Sequence, residues 1–168
     1  MAKRAFDPTH IKTIQAIQDF NSSWKMWLYF FKNLPAIIFF SIKIKSLTPY
    51  KTEVTIPFKW RTQNPFRSIY AGAQFAAAEI STGMMVSLAI QGRGRIAMLI
   101  LSAEMEYTKK ATTRTTFTCD EGQKILDAVQ KMLDTGEAQK IVTTTVGRQE
   151  NGEIVSTMRF TWSFKERS

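Results

Sequence analysis

Residues 70–91 read YAGAQFAAAEISTGMMVSLAIQ, a stretch that is apolar on every side of a helix and carries one charge, Glu79. A helix without a polar face belongs inside a protein or a bilayer. Its lone carboxylate must be neutralised, paired or used, because an isolated anion taken out of water is very costly. The segment is long enough to span a bilayer. Gly, Ala, Ser, Thr and Gln dilute its hydrophobicity, however, and Glu79 sits at its middle, so the reading is a buried helix.

The flanks say what buries it. Gly92-Arg93-Gly94 stops the helix, and period-2 patterning then marks strands at 95–107, 111–120, 139–149 and 153–165. In the last, Ile154, Ser156, Met158, Phe160, Trp162 and Phe164 share one face. Asn151-Gly152 signals a two-residue hairpin between the last two strands. Residues 121–134 place Ile125, Leu126, Val129, Met132 and Leu133 on one helical stripe, with Gly136 as the stop. Upstream, Ile42 and Ile44 alternate with lysines, and Tyr50, Thr52, Val54, Ile56, Phe58 and Trp60 repeat the pattern. These predict two antiparallel strands around Thr48-Pro49, with Pro57 implying an edge or a bulge. Residues 9–33 carry Ile11, Ile14, Ile17, Phe20, Trp24, Trp27, Leu28 and Phe31 at helical spacing. Thr9 is the expected cap, Asn21-Ser22-Ser23 the break, and Pro35 the end. An antiparallel sheet needing cover and a helix needing cover on all sides solve each other's problem. The sheet wraps the helix in an α+β architecture. No repeat or linker interrupts it, so residues 1–168 read as one domain, a helical extension over 1–34 and a core over 35–168.

The net charge of +9 is unevenly placed: residues 1–70 hold eleven Lys/Arg against three acids, the remainder twelve against eleven. A basic half attracts nucleic acid, anionic lipid or a phosphorylated small molecule such as coenzyme A, or is simply a solvated face. No nucleic-acid-binding motif or zinc-ligand spacing accompanies it, which disfavours nucleic acid. The aromatic and basic N-terminal helices keep a peripheral membrane contact open, the other reading being a lid packed on the domain. One cysteine, Cys119, excludes an internal disulfide framework and reads as a quiet buried thiol in a reducing, cytoplasmic setting. The start lacks a secretory h-region. The only histidine, His10, leaves no histidine-centred triad or His-rich metal site.

At about 100° per residue, Gly72, Phe75, Ala76, Thr82, Gly83 and Val86 share a face with Glu79. Small residues there permit close approach by a slender ligand or another helix. The helix start adds unpaired N–H groups and the positive end of the dipole, which can hold the oxyanion of a thioester carbonyl. Glu79, two turns along, can act as a general base or a nucleophile.

These residues carry a resemblance. Asn64-Pro65-Phe66-Arg67-Ser68-Ile69-Tyr70-Ala71-Gly72-Ala73, then Phe75 and Ala77-Ala78-Glu79, resemble the active-site segment of hotdog-fold acyl-CoA thioesterases. In those enzymes an Asn-containing loop leads to a His-Gly-Gly helix start, followed by an Asp or Glu on the helix. The chain is most similar to a bacterial branch known only as a domain of unknown function, which begins with helices and a Leu-Pro step, here Leu34-Pro35. The likeness runs from about residue 34 to 164. It implies a hotdog fold and an acyl-CoA thioester as substrate, with coenzyme A as part of that substrate and no other cofactor or metal. It also implies a homodimer whose sites draw on both protomers, or a tetramer built from such dimers. On this resemblance Glu79 is the catalytic acid, the Ala71 amide the oxyanion donor, and Asn64 positions water or thioester, the alternative for Asn64 being to cap its own loop. Tyr70, Gly72 and Phe75 would contact substrate, and the arginines Arg61, Arg67, Arg93 and Arg95 could clamp the coenzyme's phosphates, with Arg67 and Arg93 taken as the binding residues. Two positions depart from the pattern: Tyr70 stands where His is common, and Ala71 where the first Gly is usual. Ala keeps the amide, whereas Tyr70 donates a hydrogen bond but is no base at neutral pH. That leaves two alternatives beside hydrolysis: a non-catalytic acyl-CoA-binding protein, and a Glu79 that only forms an ion pair across the dimer.

Overall fold

Residues 5–167 are described by a computed structural model. Their elements run α1 (Ile11–Asn21), α2 (Ser23–Asn33), α3 (Pro35–Phe39), β1 (Lys43–Leu47), β2 (Thr52–Ile56), a 3-10 turn (Trp60–Thr62), α4 (Ala71–Ile90), β3 (Ile96–Tyr107), β4 (Thr115–Cys119), α5 (Gly122–Thr135), β5 (Gln139–Gln149) and β6 (Ile154–Glu166). The six strands form one antiparallel sheet in the order β1-β2-β4-β5-β6-β3.

The sheet encloses α4 as the patterning requires. Val54, Ile56, Phe117, Met158, Phe160 and Phe164 are buried, as are Ala73, Ala77, Ala78, Met84, Val86 and Leu88 of the helix. The alanines let backbone and sheet approach closely. Ser81 loses nothing by burial: its hydroxyl donates to the Ala78 carbonyl at 2.7 Å and bonds Thr145 Oγ1 on β5 at 2.8 Å. Helix α4 is long and apolar enough to cross a membrane, yet 67 % of its most apolar window lies inside the protein. It is a core helix. All five residues of the expected stripe on α5, Ile125, Leu126, Val129, Met132 and Leu133, are buried. Gly136 closes that helix in the left-handed region, at φ 75°. Cys119 is buried, which pushes its thiol up to about 11.

Four local expectations change. His10 caps α1, its Nδ1 accepting from Lys12 N at 3.2 Å. Thr9 cannot serve because Asp7 takes both its amide and its hydroxyl, at 2.8 and 2.7 Å. Pro35 does more than end α2; it opens α3, where its fixed φ suits a first turn. Pro57 lies just past β2, and the bulge falls in the neighbouring strand between Ile44 and Ser46. The β5–β6 hairpin uses three residues rather than two. Gln149 N donates to Glu153 O at 3.0 Å, Gly152 N to Gln149 O at 2.8 Å, and Gly152 takes φ 85°. A tight turn followed by a left-handed glycine gives this loop.

The two edges of the sheet differ. At β1, Asn21 of α1 takes the place of a strand: its Nδ2 donates to Leu47 O and its Oδ1 accepts from Leu47 N, both at 2.8 Å. At β3, eleven of the twelve residues pair with β6, on one side only, and Leu99, Leu101 and Met105 are exposed.

Candidate active site

Two backbone bonds aim the chain into α4: Tyr70 N donates to Thr62 O at 2.7 Å and Ile69 N to Ala111 O at 2.8 Å. The preceding loop is organised by Asn64. Its Oδ1 accepts from Phe66 N at 3.0 Å and Ser68 N at 3.2 Å, and its Nδ2 donates to Ser68 Oγ at 3.0 Å. That side chain is fully engaged in holding the loop. Arg67 sits at the exposed tip in the left-handed region, at φ 59°.

Tyr70 caps the helix without a side-chain hydrogen bond to it. The N–H groups of Ala71 and Gly72 have no partner among the described residues. The Tyr70 ring folds over Gly72, where a Cβ would lie 2.6 Å from Tyr70 Cε1. From β3, Tyr107 Oη donates to the Ala71 carbonyl at 3.1 Å. Burial raises the Tyr107 phenol above its ordinary value, and Tyr70 adds to the rise. Buried Gln74 ties the helix start to its surroundings, donating to Ile69 O at 3.1 Å and accepting from Ser156 Oγ at 3.1 Å. A cleft of about 370 Å³ opens here, with Asn64, Ala71, Gln74, Tyr107, Lys109 and Lys110 in its walls. Lys109 pairs with Glu153, whereas Lys110 reaches only the Phe66 carbonyl at 3.5 Å. Amides, a phenol and two ammonium groups make this end electropositive.

Glu79 lies on the open side of the same helix. It is half-buried, and its carboxylate has no hydrogen bond or ion pair among the described residues. Burial alone raises its carboxyl above the usual range. Gly72, Phe75, Ala76 and Gly83 share its partly exposed stripe, as expected, and Ser87 and Ile90 extend it. Thr82 and Val86 do not; both are fully buried, and Thr82 Oγ1 accepts from Trp162 Nε1 of β6 at 3.3 Å. Phe75 packs on Phe160 with ring centroids 5.4 Å apart. The Trp162 ring comes within 3.5 Å of where a Cβ on Gly83 would stand. The stripe is therefore a partly exposed row, rich in small residues, with the Phe160 and Trp162 rings beside it.

Eight residues separate Ala71 from Glu79, about 12 Å along the axis. One chain thus brings Asn64, Tyr70, Ala71 and Gly72 together at the helix start, and leaves Phe75 and Glu79 further along. Arg93 belongs to neither group. It lies at the far end of α4, where its guanidinium donates to the Ala89 carbonyl at 3.2 Å and to the Gln130 side chain. Its fractional exposure is 8 %, and burial lowers its pKa. Within the chain it fastens α4 to α5. The cations that do meet the helix start, Lys109 and Lys110, escaped the sequence reading. Their signal is the run Tyr107-Thr108-Lys109-Lys110, and it becomes legible only once β3 is known to return alongside that end of α4. Gln74, a buried amide in an apolar helix, was the other unread signal.

Residues 26–164 match the family described as Domain of unknown function (DUF4442). No curated protein matches the chain. Among solved structures, a Pseudomonas aeruginosa protein of unknown function, given as a probable thioesterase, superposes with a TM-score of 0.72 at 14% identity, covering 98% of this chain and 99% of that one. A Haemophilus influenzae thioesterase gives 0.60 at 16%, covering 99% and 96%. A Staphylococcus aureus thioesterase, solved with one glutamine replaced by alanine, gives 0.60 at 16%, covering 78% and 98%. It has also been solved with a glutamate fifteen positions later replaced. The shared architecture, an antiparallel sheet closed round a long helix, is the hotdog fold.

Proposed function

The chain belongs to the family described as Domain of unknown function (DUF4442), and on that premise we propose that it is a thioesterase-like hydrolase acting on acyl-CoA thioesters at a site shared by two chains. One observation carries the reading: Glu79 is a part-buried carboxylate with no partner among the described residues, on a partly exposed helix face rich in small residues. A structural carboxylate in that setting would be paired. The fold and the thioesterase neighbours support the same reaction class. So does the spacing of Asn64 and Glu79, fifteen positions apart like the two residues replaced in the Staphylococcus aureus thioesterase.

Glu79 takes a proton from water as the water oxygen attacks the thioester carbonyl carbon. The negative charge that develops on the carbonyl oxygen is held by the Ala71 and Gly72 amides at the positive end of α4. Collapse breaks the C–S bond; the thiolate of coenzyme A leaves and recovers the proton from Glu79, and the acyl group departs as the acid. Lys109 and Lys110 supply positive charge beside the cleft for the coenzyme's phosphates, the role the sequence gave to Arg67 and Arg93. Asn64 contributes by shaping the loop that presents the amides.

Within one chain Glu79 stands about 12 Å along the α4 axis from Ala71, a separation that favours a carbonyl held between the helix start of one chain and the Glu79 of another. Pairing through the unpartnered β3 edges makes the sheets continuous and sets the open face of one α4 against the other, so that each Glu79 serves its neighbour's helix start. Thiol release from a panel of acyl-CoAs, with Glu79→Gln beside the parent chain, tests this. Turnover that survives the substitution removes Glu79 from the mechanism. Saturable acyl-CoA binding without thiol release supports the second reading, a non-catalytic binder, which the Tyr70 ring lying over Gly72 favours.

A further inference from the structure

Helix α2 has two apolar sides, and the fold uses one. Met26 and Phe30 are buried in the core. On the outside Trp24, Trp27, Leu28 and Phe31 recur at i, i+3, i+4 and i+7, and are 65, 49, 51 and 61 % exposed. Leu34 and Phe39 extend the patch towards and into α3. The Trp27 and Phe31 rings stack at 5.2 Å and 11°, forming a flat slab. A contiguous aromatic surface of this kind marks an interface rather than ordinary scatter.

Its charges point to the occupant. Lys25 and Lys32 flank the aromatic stripe. A groove of about 520 Å³ between α2 and β1 is walled by Trp24, Trp27, Phe30 and Ile42, with Lys43 and Arg61 as its only charged residues. Asp19 is bonded to Lys25 at 2.6 Å. Lys32, Lys43 and Arg61 have no acidic partner among the described residues. A second copy would set like charges against like. The patch also lies by β1, at the opposite end of the sheet from the unpaired β3 edge.

We propose that the outer face of α2 and α3 docks the protein on an anionic lipid bilayer. The aromatic slab sits at the boundary between headgroups and acyl chains, where Trp side chains are at home. Lys32, Lys43 and Arg61 stand over the lipid phosphates. The contact is peripheral and, on the proposed acyl-CoA reading, brings the protein to a source of acyl chains.

Vesicle flotation of the full chain tests it, comparing phosphatidylcholine alone with phosphatidylcholine containing phosphatidylglycerol. Binding to the anionic vesicles is expected, with release as salt rises. The double variant Trp24→Ala/Phe31→Ala removes two exposed rings and leaves the core intact, which circular dichroism verifies. It lowers the partition coefficient at least about tenfold. Lys32→Glu/Lys43→Glu weakens binding to anionic vesicles selectively. Glu79→Gln floats like the parent, so this result stands apart from hydrolysis. No flotation with anionic vesicles, equal binding to both vesicle types, or a double variant that binds undiminished overturns the proposal. Self-association abolished by the double variant also overturns it, by assigning the face to a second copy.

Discussion

Glu79 is where function and stability oppose each other. Its carboxyl pKa is raised by burial in the folded chain, so the native state holds the proton more tightly than the unfolded one. Between the unfolded pKa and the raised native value stability falls as pH rises, and above the native value the loss is complete and no longer changes with pH. Glu79→Gln is therefore expected to raise the melting temperature at neutral pH while lowering acyl-CoA turnover by about a hundredfold or more. A parent enzyme using Glu79 as base should lose rate as pH falls through that raised pKa, at higher pH than an ordinary Glu would. Paired thermal melts and initial rates across pH read both effects. Asn64→Ala has the opposite signature. Its bonds to Phe66 N, Ser68 N and Ser68 Oγ hold the loop, so we expect a loss of about 1–2 kcal/mol by denaturant titration. The rate should fall through a poorer helix start rather than an altered pH profile. Glu79 was legible because it is the only charge in an apolar run. Arg93 was misplaced as a site residue because its partner, Gln130, is thirty-seven residues away, and no local pattern announces that contact.

Elements were legible wherever periodicity and burial coincide. The stripe of α5 and the bounds of β5 follow from alternation and spacing alone. Failures came where a side chain beyond the pattern intervened: Asp7 withdrew Thr9 from capping, and Trp162 of β6 claimed Thr82 from the open face of α4. Joints between elements were invisible too. Gly122 opens α5 against the β1–β2 turn; a Cβ there would lie 2.2 Å from Pro49 O and 2.5 Å from Tyr50 Cα, both backbone atoms that cannot step aside. Gly122→Ala should cost about 1–3 kcal/mol or more, read as a lowered denaturant midpoint. Gly72→Ala is the control. It meets only the half-exposed Tyr70 ring, which can swing away, so its effect on the midpoint should be small.

For the whole molecule, the free β3 edge is the feature that alternation predicted as a strand but could not predict as a boundary. The sheet order that leaves it last, β1-β2-β4-β5-β6-β3, depends on pairings between distant segments. Leu99 and Leu101 are exposed there in the single chain, at 63 and 45 %. Leu99→Lys/Leu101→Lys should leave the chain folded, shift sedimentation from a dimer to the 19.2 kDa monomer, and abolish thiol release with it. A parent chain that sediments as a monomer would sink the shared-site mechanism. The order of synthesis gives α4 a further consequence. When Ile90 leaves the ribosome, only α1 to α3, β1 and β2 exist to cover the helix; β3, β4, α5, β5 and β6 are still unmade. For that interval the nascent chain displays a segment apolar enough to pass for a membrane span, exposed to chaperones and to the insertion machinery alike. A carboxylate at the middle of such a segment disfavours insertion by roughly 3 kcal/mol. The residue proposed for chemistry in the finished protein thus also steers the unfinished one away from the translocon.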